Sequence, residues 1–212
     1  MIRDKMRLEE PLRGHRSIVV AVMALSCFIA LATAMALGRT GQFDEASRAA
    51  LHSLASPGLT RSMQVVTLFG SQLILLSVTA CAGAFMLELG RREAALRIAA
   101  AVAGAEFLMW TLKVVFHRPR PEPFFSGLAL ETYSFPSGHA LLSLCCYGML
   151  VTLAGAGLPR AVRWLARIAA ALLILAIGIS RVYLGAHYSS DVIAGFLVAV
   201  VWMTALVPRR QA

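Results

Sequence analysis

Three cations, two imidazoles and one carboxylate fall into three short blocks: Lys113 with Arg120-Pro121, Pro136-Ser137-Gly138-His139, and Ser180-Arg181 with His187 and Asp191. They stand at the ends of apolar segments, where unpaired charge is expensive. Such a set suits the handling of phosphate. A guanidinium fork grips two phosphate oxygens at once, and an ammonium adds a mobile point charge. Lys113 and Arg120 taken alone read more simply as a snorkelling lysine and an interfacial arginine. Pro136 to His139 opens a helix, whose unpaired N–H groups favour an anion. There Gly138 permits close backbone approach, and Ser137 either caps the helix or donates to a phosphate oxygen. In the third block, a helix beginning near Ser189 or Ser190 lets Asp191 reach back and take the proton on one nitrogen of His187. The other nitrogen is left bare, as a nucleophile needs. A lone His and Asp pair is more often a structural hydrogen bond, and Arg181, six residues before His187, tips the reading towards function.

The elements that must position these blocks are membrane helices. The chain has 212 residues, 58% of them hydrophobic, with a mean hydropathy of +0.72. Several apolar runs approach the roughly 20 residues that cross a bilayer as helix. Six spans are expected, at about 17–38, 63–88, 95–116, 138–157, 165–182 and 191–208. The runs lack the alternation of a barrel, so the expected fold is all-α, a six-helix polytopic bundle forming one membrane-embedded domain over 1–212. The outer loop 39–62 adds a short interfacial helix around Phe43 to Leu54, polar at Asp44, Glu45 and Arg48. The first run is too long for a typical signal peptide and reads as an uncleaved anchor. Cys27, Cys81, Cys145 and Cys146 all fall within expected spans, as small apolar residues rather than disulfide or metal partners.

Charge placement sets the orientation. Of the 20 Lys and Arg, 13 lie in the tail 1–16, the 89–97 and 158–167 loops and the tail after 208, leaving seven elsewhere. By the positive-inside rule both termini are cytoplasmic and motifs 113–191 work at the extracytoplasmic face. The net charge of +9 is therefore explained by topology, and the basic residues form no groove for nucleic acid.

Lys-x6-Arg-Pro, Pro-Ser-Gly-His and Ser-Arg-x5-His-x3-Asp, in this order and each complete, resemble the signature of the type 2 phosphatidic acid phosphatase superfamily. The resemblance implies that His187 attacks phosphorus to form a phosphohistidine, oriented by Asp191, while His139 protonates the leaving oxygen. Lys113, Arg120, Arg181, Ser137 and the Gly138 amide would hold the phosphate oxygens. The cations would replace magnesium, so neither metal nor other cofactor is expected. The implied setting is a bacterial inner membrane and the implied substrate a lipid phosphate, with undecaprenyl diphosphate the leading candidate by analogy. A phosphotransferase using the same intermediate, or a phosphate-substrate transporter, are the rival readings. His117 and Arg118 lie off the signature and are assigned no chemistry. Glu106, mid-span, is read as a protonated or hydrogen-bonded packing residue.

Overall fold

A computed structural model describes residues 2–125 and 132–206. These form eight α-helices and a short 3-10 turn, with no strand among the described residues. Helix α1 runs from Ile2 to Ala36, α2 from Gly41 to His52, α3 from Pro57 to Leu68 and α4 from Gln72 to Glu88. Then follow α5 (Arg92–Phe116), α6 (Gly138–Ala154), α7 (Arg160–Tyr183) and α8 (Ser189–Leu206). The basic stretch expected as a tail before residue 17 continues α1, and the tail after 208 lies outside the described residues.

Four helices are long and apolar enough to cross a membrane: α1 over Ser17–Ala36, α5, α7 and α8. The expected span 63–88 is instead two helices, α3 and α4, bent by 45° across Phe69-Gly70-Ser71. Counted as one broken span, that pair is a fifth crossing. It begins before the expected start, because Ser56-Pro57 is a helix-opening signal: the Ser56 hydroxyl accepts from the Leu59 amide and Pro57 occupies the first turn. Helix α6 is apolar but has only 17 residues.

This short helix is the centre of the bundle, packed by α4, α5, α7 and α8, while α1 lies along α8. Its small residues Ala140, Ser143, Cys145 and Cys146 are fully buried, which lets the neighbouring helices approach closely. Large side chains point the other way: Leu73, Leu96, Phe107 and Leu165 are each more than two-thirds exposed, as lipid-facing positions require. The chain is a multi-pass membrane protein. All four cysteines are unpaired thiols.

Helix α2 forms close to where the sequence placed it, but its polar face is turned inward. Asp44 is wholly buried and Arg48 nearly so, while Phe43 and Leu54 are exposed. The reason is a set of partners on other segments, which an isolated stretch of sequence cannot display.

Candidate active site

The three signature blocks converge because each lies at a helix end on one side of α6. Helix α5 ends at Phe116, and its C-cap residue His117, with a left-handed backbone (φ 46°), turns the chain into the irregular Arg118-Pro119-Arg120 segment. Helix α6 begins with Gly138, and α7 ends just beyond Arg181. The turn 184–188 then enters α8 at Ser189, and the Ser137 amide donates to the Asp191 carbonyl at 2.9 Å, tying the second block to the third. Gly185 is required in that turn. Its φ is +76°, and a Cβ there would lie 2.6 Å from the Phe124 backbone nitrogen.

His187 is at the centre, 2% exposed. Its Nδ1 lies 3.3 Å from Asp191 Oδ2, and its Nε2 lies 3.0 Å from Arg120 Nη1. Burial, the largest influence, pushes the imidazole down to about 3, against the raising effect of Asp191 and with the Arg120 and Arg181 charges adding to the fall. It is therefore neutral near pH 7. Asp191, fully buried, also accepts from the Tyr188 amide at 2.9 Å and from the Ser134 hydroxyl, both at Oδ2.

The expected phosphate ligands surround this pair. Arg120 is held by the Thr132 carbonyl at 2.7 Å, the Thr132 hydroxyl at 2.9 Å and the Ala186 carbonyl at 2.8 Å. Arg181 donates to the Thr67 hydroxyl of α3 at 2.7 Å, and its Nε has no partner among the described residues. Lys113 is buried, donates to the Tyr133 carbonyl, and lies within Coulombic reach of Arg120, Asp191 and Arg181. His139 is half-buried and feels the charges of Arg181, Arg120 and Lys113.

Two expectations for the second block change. Ser137 stands at the N-cap position but its hydroxyl makes no capping bond; it is buried without a partner among the described residues. That leaves it free to donate to a ligand. Gly138 faces Met109 of α5, since a Cβ would lie 2.4 Å from the Met109 sulfur, so its missing side chain serves helix packing. Its amide, in the first turn, has no intrahelical acceptor.

Arg120 also borders an open cleft of about 450 Å³, lined by Glu45, Arg48, Glu122, Pro123, Phe124 and Tyr188. A larger cleft of about 600 Å³ beside the first turn of α3 contains none of the signature residues.

The sequence matches the PAP2 superfamily over residues 94–212. The chain belongs to the PAP2 superfamily. With that membership it is a lipid phosphatase. It is 31% identical to phosphatidylglycerophosphatase B of Bacillus subtilis (strain 168) over 172 residues, covering 80% of this chain and 84% of that protein. It is also similar to the crystal structure of a transmembrane PAP2-type phosphatidylglycerolphosphate phosphatase from Bacillus subtilis, with a TM-score of 0.82 and 28% identity over 88% of this chain and 93% of that one. The crystal structure of Aquifex aeolicus LpxE shares the fold at a TM-score of 0.60 and 21% identity, over 78% of this chain and 94% of that one.

Several residues of this candidate site carry no chemistry on sequence grounds. Arg118 donates to Asp191 Oδ1 at 2.5 Å, and Ser134 contacts both Asp191 and His187. Thr67, Thr132 and Asp44 reach the site from outside the three blocks. One signal was visible: Arg118 and Arg120 flank Pro119 in extended chain, where residues two apart face the same side.

Proposed function

We propose that the chain hydrolyses the terminal phosphate of an amphiphilic phospholipid through a phosphohistidine at His187. The observation that carries this reading is the dual engagement of one buried imidazole, Asp191 at Nδ1 and Arg120 at Nε2. A guanidinium can only donate, so Nε2 is the unprotonated nitrogen and Nδ1 carries the hydrogen towards Asp191. A phosphoryl group attacked by Nε2 takes the place of the Arg120 N–H at that lone pair, and the guanidinium then grips its oxygens.

In the first step Nε2 forms a bond to phosphorus as the bond from phosphorus to the lipid oxygen breaks. His139 donates a proton to that oxygen, which leaves as the lipid alcohol. Asp191 stabilises the positive charge gained by the His187 ring. Lys113, Arg120, Arg181, the Ser137 hydroxyl and the Gly138 amide offset the charge on the three equatorial oxygens, which is the main task in phosphoryl transfer. In the second step water attacks phosphorus, His139 takes a proton from it, and the P–N bond breaks to release inorganic phosphate and free His187.

The leading substrate is phosphatidylglycerophosphate, favoured by the likeness in sequence and in structure to a Bacillus subtilis phosphatase named for that activity. Undecaprenyl diphosphate, the analogy drawn from sequence, is the competing arm of the assay. The proposed topology has six crossings, α1, the α3–α4 pair, α5, α6, α7 and α8, with both termini cytoplasmic and α2 at the outer surface. At 17 residues α6 spans about 25 Å, enough for a helix that is surrounded by protein rather than lipid.

The test is phosphate release by the solubilised enzyme from both lipids, with excess chelator, for wild type and His187→Ala. Chelator-resistant release that vanishes in the variant, with phosphatidylglycerophosphate the faster substrate, is the expected result. Phosphate recovered on an acceptor lipid instead of in solution establishes a transferase, and full release by His187→Ala removes the nucleophile assignment.

A further inference from the structure

Arg118 lies outside the signature yet forms the most heavily partnered ion pair of the site. Its Nη1 donates to Asp191 Oδ1 at 2.5 Å and to the Ser190 hydroxyl at 2.7 Å. Its Nη2 donates to Asp44 Oδ2 at 2.8 Å, and its guanidinium sits 4.2 Å from the centre of the Tyr188 ring. Asp44, on α2, in turn accepts from the Ser190 amide at 2.9 Å and the Ser190 hydroxyl at 2.7 Å. Both carboxylates are 0% exposed and the Arg118 side chain is 11% exposed, so this is a partly buried cation clamped between two buried anions.

The arrangement has a direction. Asp191 has two oxygens: Oδ2 serves His187, Ser134 and the Tyr188 amide, while the side-chain donor on Oδ1 is Arg118. Rotation of the carboxylate about its own axis would exchange the two, and the guanidinium opposes that exchange by holding Oδ1. Arg118 is itself prevented from swinging towards phosphate by Asp44 and the Tyr188 ring. Arg120, two residues on, engages the opposite end of the same imidazole pair at His187 Nε2. The two arginines of one short segment therefore bracket the His187–Asp191 pair, one on each end.

We propose that Arg118, anchored by Asp44 of α2, is a positioning residue that fixes the Asp191 carboxylate and through it the tautomer and aim of His187. This rests on the phosphatase reading above, in which Asp191 orients the nucleophile. Neither Arg118 nor Asp44 touches a reacting atom, so their effect falls on kcat rather than on lipid binding. It also makes α2 part of the catalytic apparatus, since the outer helix supplies the counter-ion of the clamp.

The experiment uses the full chain in detergent micelles with phosphatidylglycerophosphate, comparing wild type, Arg118→Gln, Arg118→Lys, Asp44→Asn, the Asp44→Asn/Arg118→Gln pair and Asp191→Asn. Arg118→Gln lowers kcat by roughly 10–100-fold, the usual scale for a group that orients a reacting group's partner, with KM changed by less than about threefold. Arg118→Lys also loses turnover, because an ammonium cannot bridge two carboxylates with a planar fork. The double variant removes one charge of each sign, so thermal stability recovers relative to Arg118→Gln while kcat stays low. A purely structural clamp behaves differently: kcat then returns together with stability, and that result overturns the proposal. Wild-type turnover in Arg118→Gln does the same. Should Arg118→Gln fail to fold, wild-type turnover in Arg118→Lys and Asp44→Asn overturns it and reduced turnover at normal stability upholds it. Near-normal turnover in Asp191→Asn brings down the phosphatase reading and this proposal together, whereas loss in Asp191→Asn with normal Arg118 variants removes this proposal alone.

Discussion

Arg120 Nη1 stands 3.0 Å from His187 Nε2, on the far side of the ring from the Asp191 carboxylate. A cation that cannot accept a hydrogen bond thus shares a buried imidazole with an anion that cannot donate one. The two together impose a single neutral tautomer. They also leave the imidazolium form without room, since a proton on Nε2 would face the guanidinium directly.

The pH dependence of turnover should reflect this. Burial lowers His187 to about 3 from an ordinary 6.5, so the free enzyme keeps its nucleophile unprotonated across the mildly acidic range. The acid limb of kcat/KM assigned to His187 is expected well below pH 6.5, after correction for ionisation of the substrate phosphate. A limb centred at 6.5 that is lost when His139 is replaced would assign it to the other imidazole. The linkage sign follows: the unfolded chain binds the His187 proton more readily, so this group withdraws stability as pH falls from about 6.5 towards 3 and has no effect above 7. Thermal melts across that window check it.

Arg181 is aimed by Thr67 of α3, whose hydroxyl accepts from its Nη1 at 2.7 Å. Thr67→Val keeps the side-chain volume and deletes the acceptor. KM is expected to rise by roughly tenfold or more with a smaller change in kcat, since a net hydrogen bond to a charged group is worth about 1.5–3 kcal/mol. Arg181→Lys should be far worse, because the two-pronged grip is lost. Steady-state kinetics on the two variants check the order, and near-normal turnover in Arg181→Lys would remove Arg181 from the site.

Motif spacing made the three blocks legible, because the chemistry needs particular residue types at helix ends and hydropathy locates those ends. Reach across the fold was not legible. Arg118 lies off the signature and carries no chemistry on sequence grounds; its place shows only with Asp44, 74 positions earlier in the chain, and Asp191, 73 later, on either side of it. Asp44 and Arg48 read as the wet face of a surface helix for the same reason. The break at Gly70 was hidden too, since Phe69, Gly70 and Ser71 interrupt neither the apolar run nor its charge pattern. The sequence reads Gly138 as permitting close backbone approach to a ligand, whereas its fit to Met109 depends on a neighbour that periodicity cannot specify.

Gly70 offers a test of how the break in α3–α4 serves the site. A Cβ there would lie 2.4 Å from Ile177 Cγ2 and 2.9 Å from His139 Cδ2, closer than van der Waals contact allows. Gly70→Ala must therefore displace His139 or spread α3 from α7. Displacement of a proton donor by about 1 Å can cost on the order of 100-fold, so kcat is expected to fall by at least about tenfold. Kinetics together with a thermal melt decide it: unchanged kcat would mean the collision is relieved at Ile177 alone.

Glu106 separates packing from chemistry. Both of its carboxyl oxygens are buried without a hydrogen-bond partner among the described residues, although Gln72 and Trp110 are its polar neighbours. It lies seven residues before Lys113 on α5, about 10 Å along the helix, too far to reach a phosphate held there. An unsatisfied buried group costs about 1–3 kcal/mol, and replacing it with an apolar side chain of similar size removes that cost. Glu106→Leu is therefore expected to raise the melting temperature by several degrees, with kcat within about twofold of wild type. A lower melting temperature would mean that the carboxyl is satisfied in the folded protein. Loss of turnover at normal stability would instead make Glu106 a part of the path by which the lipid reaches His187.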